Sequence, residues 1–255
     1  MKIGIIGIGN MGFSIAKGLL GENELFLSNR GSQIDFFKDK DVSICENKSA
    51  VKSSDYVILA VKPKYYESLI KELKEELSGK VFISIAPGFS LNKLESLLNK
   101  DQKIVMTMPN TPASVGEGMS ILCPNGEISD EEFENVMEIF SSFGKAMKVE
   151  ESEFDAAGVI NGCLPAFVDL FIEGLSDGAV YSGLKRDTSY KLILQTIKGA
   201  VSLMEESGDH PGLLKDKVTS PAGTTIAGVK ALEDNKFRAS LIEAVEKSFK
   251  KSKNI

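Results

Sequence analysis

The chain opens on "KIGIIGIGNMG" (Lys2 to Gly12), an apolar run ending in glycines spaced G-x-G-x-x-G from Gly7 to Gly12. Ile15, Ala16, Leu19 and Leu20 follow at helical spacing, so the glycines fall where a strand turns into a helix. In that setting Gly7 makes the tight turn, Gly9 lets a pyrophosphate approach the backbone, and Gly12 allows close packing of helix on strand. The N–H groups of Asn10 and Met11 then face the anion at the helix start. Few features restrict a fold more, because the turn requires a parallel sheet around it.

The residues that follow supply such a sheet. Strand-like runs at Glu24 to Ser28, Val42 to Cys45, Tyr56 to Val61, Lys80 to Ala86 and Lys103 to Met108 alternate with helical segments. Two more short strands, around Met119 to Cys123 and Ala146 to Val149, bracket a helix from Asp130 to Phe140. Beyond Val149 strands cease, and helices are expected at Phe154 to Val180, Thr188 to Glu206, after Pro211, Gly223 to Glu233 and Phe237 to Lys251. The expected fold class is therefore α/β plus all-α. A Rossmann-type dinucleotide-binding domain spans residues 1–150, and a helical domain spans 151–255. Asp187 is placed to cap the second of these helices and Gly208 to end it.

The end of the second strand selects among dinucleotides. It reads "SNR" (Ser28, Asn29, Arg30), with no carboxylate to grip an unmodified ribose and an arginine able to pair with a 2′-phosphate. NADPH is thus expected over NADH. Other loops at the strand ends complete the cofactor set: "AVKP" (Ala60, Val61, Lys62, Pro63) after the fourth strand, and "MPNTPASVGEG" after the sixth. In the latter, Asn110 offers a donor and an acceptor beside the nicotinamide.

Composition narrows the partners. With 30 basic against 36 acidic residues and no basic block but the lysine-rich tail, a nucleic-acid partner is not expected. The longest apolar stretch, Gly158 to Val180, carries Asp169, Glu173 and Asp177, so no membrane span is expected. Three scattered cysteines, Cys45, Cys123 and Cys163, fit neither a disulfide framework nor a metal site and suggest the cytoplasm. The wide apolar face of the helix from Phe154 is either central to its domain or buried in a partner subunit, and an isolated monomer is not expected.

Near the end lies "VTSPAGTTIAGV" (Val218 to Val229), crowded with hydroxyls and free of charge. Ser220 or Thr219 can cap a helix begun by Pro221, leaving the N–H groups of Gly223, Thr224 and Thr225 to bind a substrate carboxylate. His210, the single histidine, precedes a proline at a helix entry and is expected to be structural.

Taken with "IGIGNMG", "AVKP", "MPNTPASVGEG" and "FRASLIEAVEKS", the segment "HPGLLKDKVTSPAGTTIAGVKALE" (His210 to Glu233) resembles the Δ1-pyrroline-5-carboxylate reductases from end to end. The resemblance implies NAD(P)H-dependent reduction of the cyclic imine of pyrroline-5-carboxylate to L-proline, residues 151–255 as a substrate-binding and dimerisation domain, an interlocked homodimer or an assembly of dimers, and a hydroxyl of Thr225 bonded to the ring nitrogen. The chain departs from the family pattern at Asn161, Cys163 and Leu164, where "SGSGPAY" is usual, and at Ala222, usually glycine. Two alternatives stay open. One is a related reductase or β-hydroxyacid dehydrogenase, although the helix from Phe154 to Val180 has no lysine of the kind that class uses. The other is a noncatalytic NADP-binding protein.

Overall fold

The computed structural model describes residues 1–253. The elements run β1 (Lys2–Ile6), α1 (Asn10–Gly18), β2 (Glu24–Ser28), β3 (Ser43–Ile44), α2 (Asn47–Lys52), β4 (Tyr56–Leu59), α3 (Tyr66–Leu77), β5 (Val81–Ser84), α4 (Leu91–Leu97), β6 (Lys103–Pro109), β7 (Gly118–Pro124), α5 (Asp130–Ser141) and β8 (Gly144–Lys148). Five helices follow: α6 (Glu151–Tyr181), α7 (Arg186–Ser207), α8 (Pro211–Lys217), α9 (Thr224–Asp234) and α10 (Phe237–Ser252). The chain divides into two compact units. One comprises Met1–Cys163 and the chain end from Phe249, the other Leu164–Ser248, so the division falls inside α6.

The first unit holds one sheet of eight strands in the order β3-β2-β1-β4-β5-β6-β7-β8. Strands β1 to β6 pair in parallel, β7 reverses against β6, and β8 runs parallel to β7. The order reverses direction between β1 and β4, which opens a crevice at their carboxyl ends. The central strands have apolar residues on both faces because helices cover both. Ile3, Ile5, Leu25 and Leu27 pack with α1 and α5, and Val57, Leu59, Phe82 and Ile104 pack with α3 and α4. Ser129 and Glu132 start α5 with a reciprocal capping box, each reaching the other's backbone N–H.

The second unit is helical. Asp187 does not cap α7, which begins one residue earlier at Arg186 after an uncapped Lys185, while Gly208 ends it at φ 65° as the sequence suggested. Ser176 of α6 and Ser189 of α7 are fully buried and share a hydrogen bond of 2.5 Å. Arg186 donates to Ser176 at 2.8 Å and pairs with Asp177 at 2.7 Å, so one of the three spaced acids of α6 has a local structural role. His210 accepts the N–H of Gly212 at 3.1 Å and opens α8, a structural role as expected.

By length and composition alone helix α6 could cross a membrane, with a mean hydropathy of 1.4 over an 18-residue window, a property that core helices of soluble proteins share. Its three acids, four residues apart, are too dispersed to break every such window. Apolar side chains remain exposed along α6 and α7, among them Leu170 at 70%, Tyr181 at 95% and Leu192 at 56%.

Candidate active site

The glycine turn is built as its spacing implies. Gly7 sits at φ 98°, and a Cβ there would lie 2.6 Å from the carbonyl oxygen of Ala60 and 2.7 Å from Val61 Cγ1. A Cβ on Gly12 would stand 2.0 Å from the carbonyl oxygen of Gly7. These two glycines are demanded by packing. Gly9 is different, because a Cβ there would meet nothing within 4 Å. Gly9 caps α1 without a side-chain bond, the first turn holds no acid, and the N–H groups of Asn10, Met11 and Gly12 have no partner among the described residues. An open concavity lined by free donors at a helix start is what a pyrophosphate needs, so the residues present fit a dinucleotide.

The neighbouring strand ends meet this turn. Ala60 and Val61 border Gly7, while Lys62 and Pro63 stand exposed at the start of the following 3-10 turn. At the end of β2, Asn29 donates to the carbonyls of Gly31 at 2.9 Å and Ile8 at 3.4 Å, tying this loop to the glycine turn. Gln33 donates to the side chain of Asn10 at 3.1 Å and strengthens that tie. The hydroxyl of Ser28 is buried and donates to Asn47 Oδ1 at 2.8 Å. Arg30 is exposed and makes no hydrogen bond or ion pair among the described residues.

Beneath the crevice lies Tyr66, fully buried, whose hydroxyl donates to the Leu59 carbonyl and accepts the N–H of Ile85 at 3.1 Å. It joins the carboxyl ends of β4 and β5, and burial raises its pKa. Nothing in the sequence around it marks this role. Asn110 Oδ1 accepts the N–H of Met119 at 2.9 Å and its Nδ2 donates to Asn161 Oδ1 at 3.1 Å, so its donor is engaged within the protein while its oxygen keeps a second lone pair.

In the second unit the hydroxyl-rich segment also differs from expectation. Thr219 donates to the carbonyls of Lys215 and Asp216 at 2.9 and 3.2 Å, closing α8 instead of opening a helix. Ser220 to Gly223 form a turn in which Gly223 donates to the carbonyl of Ser220 at 3.0 Å, with Ala222 at φ 58° after Pro221. Helix α9 begins only at Thr224, capped by Gly223 with no side-chain bond. Neither Ser220 nor Thr219 caps it, because the turn needs Pro221 and Ala222 outside the helix. Since the Gly223 N–H serves the turn, the donors without a partner among the described residues are those of Thr224, Thr225 and Ile226. The hydroxyl of Thr225 is exposed and has no partner among the described residues.

A doubly wound sheet with an open glycine turn, followed by a helical unit with exposed apolar faces, defines a two-part dinucleotide-dependent oxidoreductase. The family model described as pyrroline-5-carboxylate reductase dimerisation matches residues 151–255, and that described as NADP oxidoreductase, coenzyme F420-dependent, matches residues 2–88. The pyrroline-5-carboxylate reductase of Arabidopsis thaliana is 39% identical over 100% of this chain and 95% of its own length, and that of Escherichia coli is 36% identical over 100% and 98%. Among solved structures, the Plasmodium falciparum pyrroline carboxylate reductase with NADP bound superposes with a TM-score of 0.90 at 37% identity, covering 100% of this chain and 97% of that one. The Coxiella burnetii pyrroline-5-carboxylate reductase gives 0.93 at 32%, covering 99% and 97%. The chain belongs to the pyrroline-5-carboxylate reductase family.

Proposed function

We propose that this protein reduces the cyclic imine L-1-pyrroline-5-carboxylate to L-proline with NADPH, the last step of proline biosynthesis. The observation that carries the reading is full-length similarity to reductases of that name, joined to an open glycine turn and an unpaired Arg30. In this reading residues 1–150 hold the cofactor and residues 151–255 hold the substrate and form the surface of a homodimer or an assembly of dimers. Free cysteines at Cys45, Cys123 and Cys163 suit the cytoplasm. Neither nucleic acid nor membrane has a part in it.

NADPH, when bound, supplies the hydride that adds to the imine carbon. The chain's own groups bind and orient. The N–H groups of Asn10, Met11 and Gly12 receive the pyrophosphate. Arg30, aided by the Ser28–Asn29 loop, pairs with the 2′-phosphate. Ala60 to Pro63 line the crevice, and Asn110 acts through the loop it shapes. In the second unit, the N–H groups of Thr224, Thr225 and Ile226 take the substrate carboxylate in the positive field of a helix start, with Ser220 and Gly223 forming the entry turn. Thr225 Oγ1 would donate a hydrogen bond to the ring nitrogen, and the proton that nitrogen takes up would come from solvent water.

The test is a Thr225→Ala variant assayed by NADPH oxidation. Loss of one transition-state hydrogen bond should lower kcat/KM about tenfold to a thousandfold while leaving NADPH affinity intact. Unchanged kinetics would sink the assignment of Thr225, and tight NADPH binding by the unmodified protein without turnover would favour a noncatalytic role.

A further inference from the structure

The first half of α6 lies against the β6–β7 hairpin through glycines. A Cβ on Gly158 would be 3.0 Å from Met108 Sδ, and one on Gly162 would be 3.7 Å from it. Asn161 sits between them, only 7% exposed. Its Nδ2 donates to the carbonyls of Met108 at 2.6 Å and Met119 at 2.9 Å, and its Oδ1 accepts from Asn110. Asn110 Nδ2 also approaches the backbone carbonyl of Asn161 at 3.4 Å. That carbonyl lacks its helical donor because position 165, four residues on, is proline.

The β6–β7 register ends at Pro109 opposite Ser120. Proline has no N–H, so the backbone ladder cannot continue through it, and the two side-chain amides carry the pairing onward. Every polar atom of both amides is used, which makes the pair costly to break. The clamped segment leads straight into the 3-10 turn Thr111–Val115, at the carboxyl end of β6. In a doubly wound sheet the two nucleotides lie over the two halves. With Arg30 as the partner of the adenosine phosphate at β2, the nicotinamide would fall on the side of β4 to β6.

We propose that Asn161 is a positioning residue for hydride transfer, holding Asn110 and the loop after β6 in the shape that seats the nicotinamide ring. The proposal rests on the reductase reading above. A serine, which the family pattern has at this position, offers one donor and cannot bridge both carbonyls, so this chain depends on the amide.

Asn161→Asp is the informative variant, assayed beside the unmodified enzyme for steady-state turnover, NADPH affinity by fluorescence and melting temperature. The carboxylate would face two carbonyls with no hydrogen to give, and should lower kcat about tenfold to a hundredfold by displacing the loop. NADPH affinity should stay within about threefold, since the adenosine half is untouched. Burial against carbonyl oxygens raises the new carboxyl's pKa, and its protonated form regains one donor. The ratio of variant to unmodified kcat should therefore climb several-fold from about pH 8 to about pH 6. If that variant does not fold, Asn161→Ser decides, with an expected loss of about threefold to tenfold in kcat and no change in the ratio with pH.

A folded Asp variant whose kcat ratio is flat across pH overturns the proposal. So does kcat within twofold of the unmodified enzyme in the deciding variant, or a loss seen only in melting temperature and NADPH affinity. Absence of turnover in the unmodified protein is a separate result, and refutes the reductase reading itself.

Discussion

The buried hydroxyl of Ser28 donates to Asn47 Oδ1 at 2.8 Å, and its only hydrogen is thereby committed inside the protein. Ser28 can still accept a bond, but a phosphate has none to give when fully ionised. In the proposed reading, recognition of a 2′-phosphate would then rest on the donors of Arg30, which has no competing partner among the described residues. Arg30→Ala should weaken NADPH binding about tenfold to a hundredfold, equivalent to one charged hydrogen-bonding interaction, and leave NADH binding nearly unchanged. Paired KM measurements with the two cofactors check this. Equal effects on both would remove Arg30 from the phosphate site.

Gly9 and Gly12 should respond to alanine in different ways. The Gly12 Cβ would stand 2.0 Å from a backbone oxygen, so Gly12→Ala should lower the melting temperature or prevent folding. At Gly9 the space is open. Gly9→Ala should fold with ordinary stability yet lose about tenfold or more in NADPH affinity, because its methyl group occupies the pyrophosphate's approach. Retained NADPH affinity in Gly9→Ala would place the cofactor elsewhere.

Ala222 holds a left-handed conformation at φ 58° that glycine adopts without strain. The steric cost is about 1–2 kcal/mol, and glycine returns about 0.4–1 kcal/mol of that through greater freedom of the unfolded chain. Ala222→Gly is therefore expected to stabilise the protein slightly, and Ala222→Val to destabilise it, by denaturant titration. The opposite ranking would show that the turn relaxes in solution.

Alkali should unfold the protein through its buried acids. Burial raises the pKa of Tyr66, Tyr56 and Cys45, and pushes the Cys123 thiol up to about 11. For each, the folded state holds its proton more tightly than the unfolded state. The stability this contributes is complete below the ordinary values of thiols and phenols, and declines as pH rises through them. Urea midpoints should therefore fall above about pH 9, and Tyr66→Phe should flatten the decline even though it costs stability at neutral pH. A midpoint constant up to pH 11 would refute this.

Much of this was open to sequence reading because periodicity and glycine spacing report burial and backbone approach directly. The strand at Lys2–Ile6, the turn at Gly7 to Gly12 and the helices beyond Val149 all follow from such local patterns. What escaped depends on distant partners. Nothing near Tyr66 in sequence reveals that its hydroxyl will join two strand ends, and nothing near Asn110 announces Asn161, 51 residues away. The capping of α9 differs from expectation for a local reason. Proline suits the first turn of a helix and the second position of a reverse turn equally well, and only the left-handed Ala222 after it decides between them.

The bare flanks of α6 and α7, with Leu170 and Tyr181 largely in solvent, bear on how this protein should be handled as well as on how it assembles. A subunit that completes its apolar burial only against another copy is held folded in part by mass action. Its melting temperature is then no fixed property of the chain. It should rise with protein concentration and fall on dilution, so that the dilute conditions of an enzyme assay and the concentrated conditions of a calorimeter sample different populations of the same molecule.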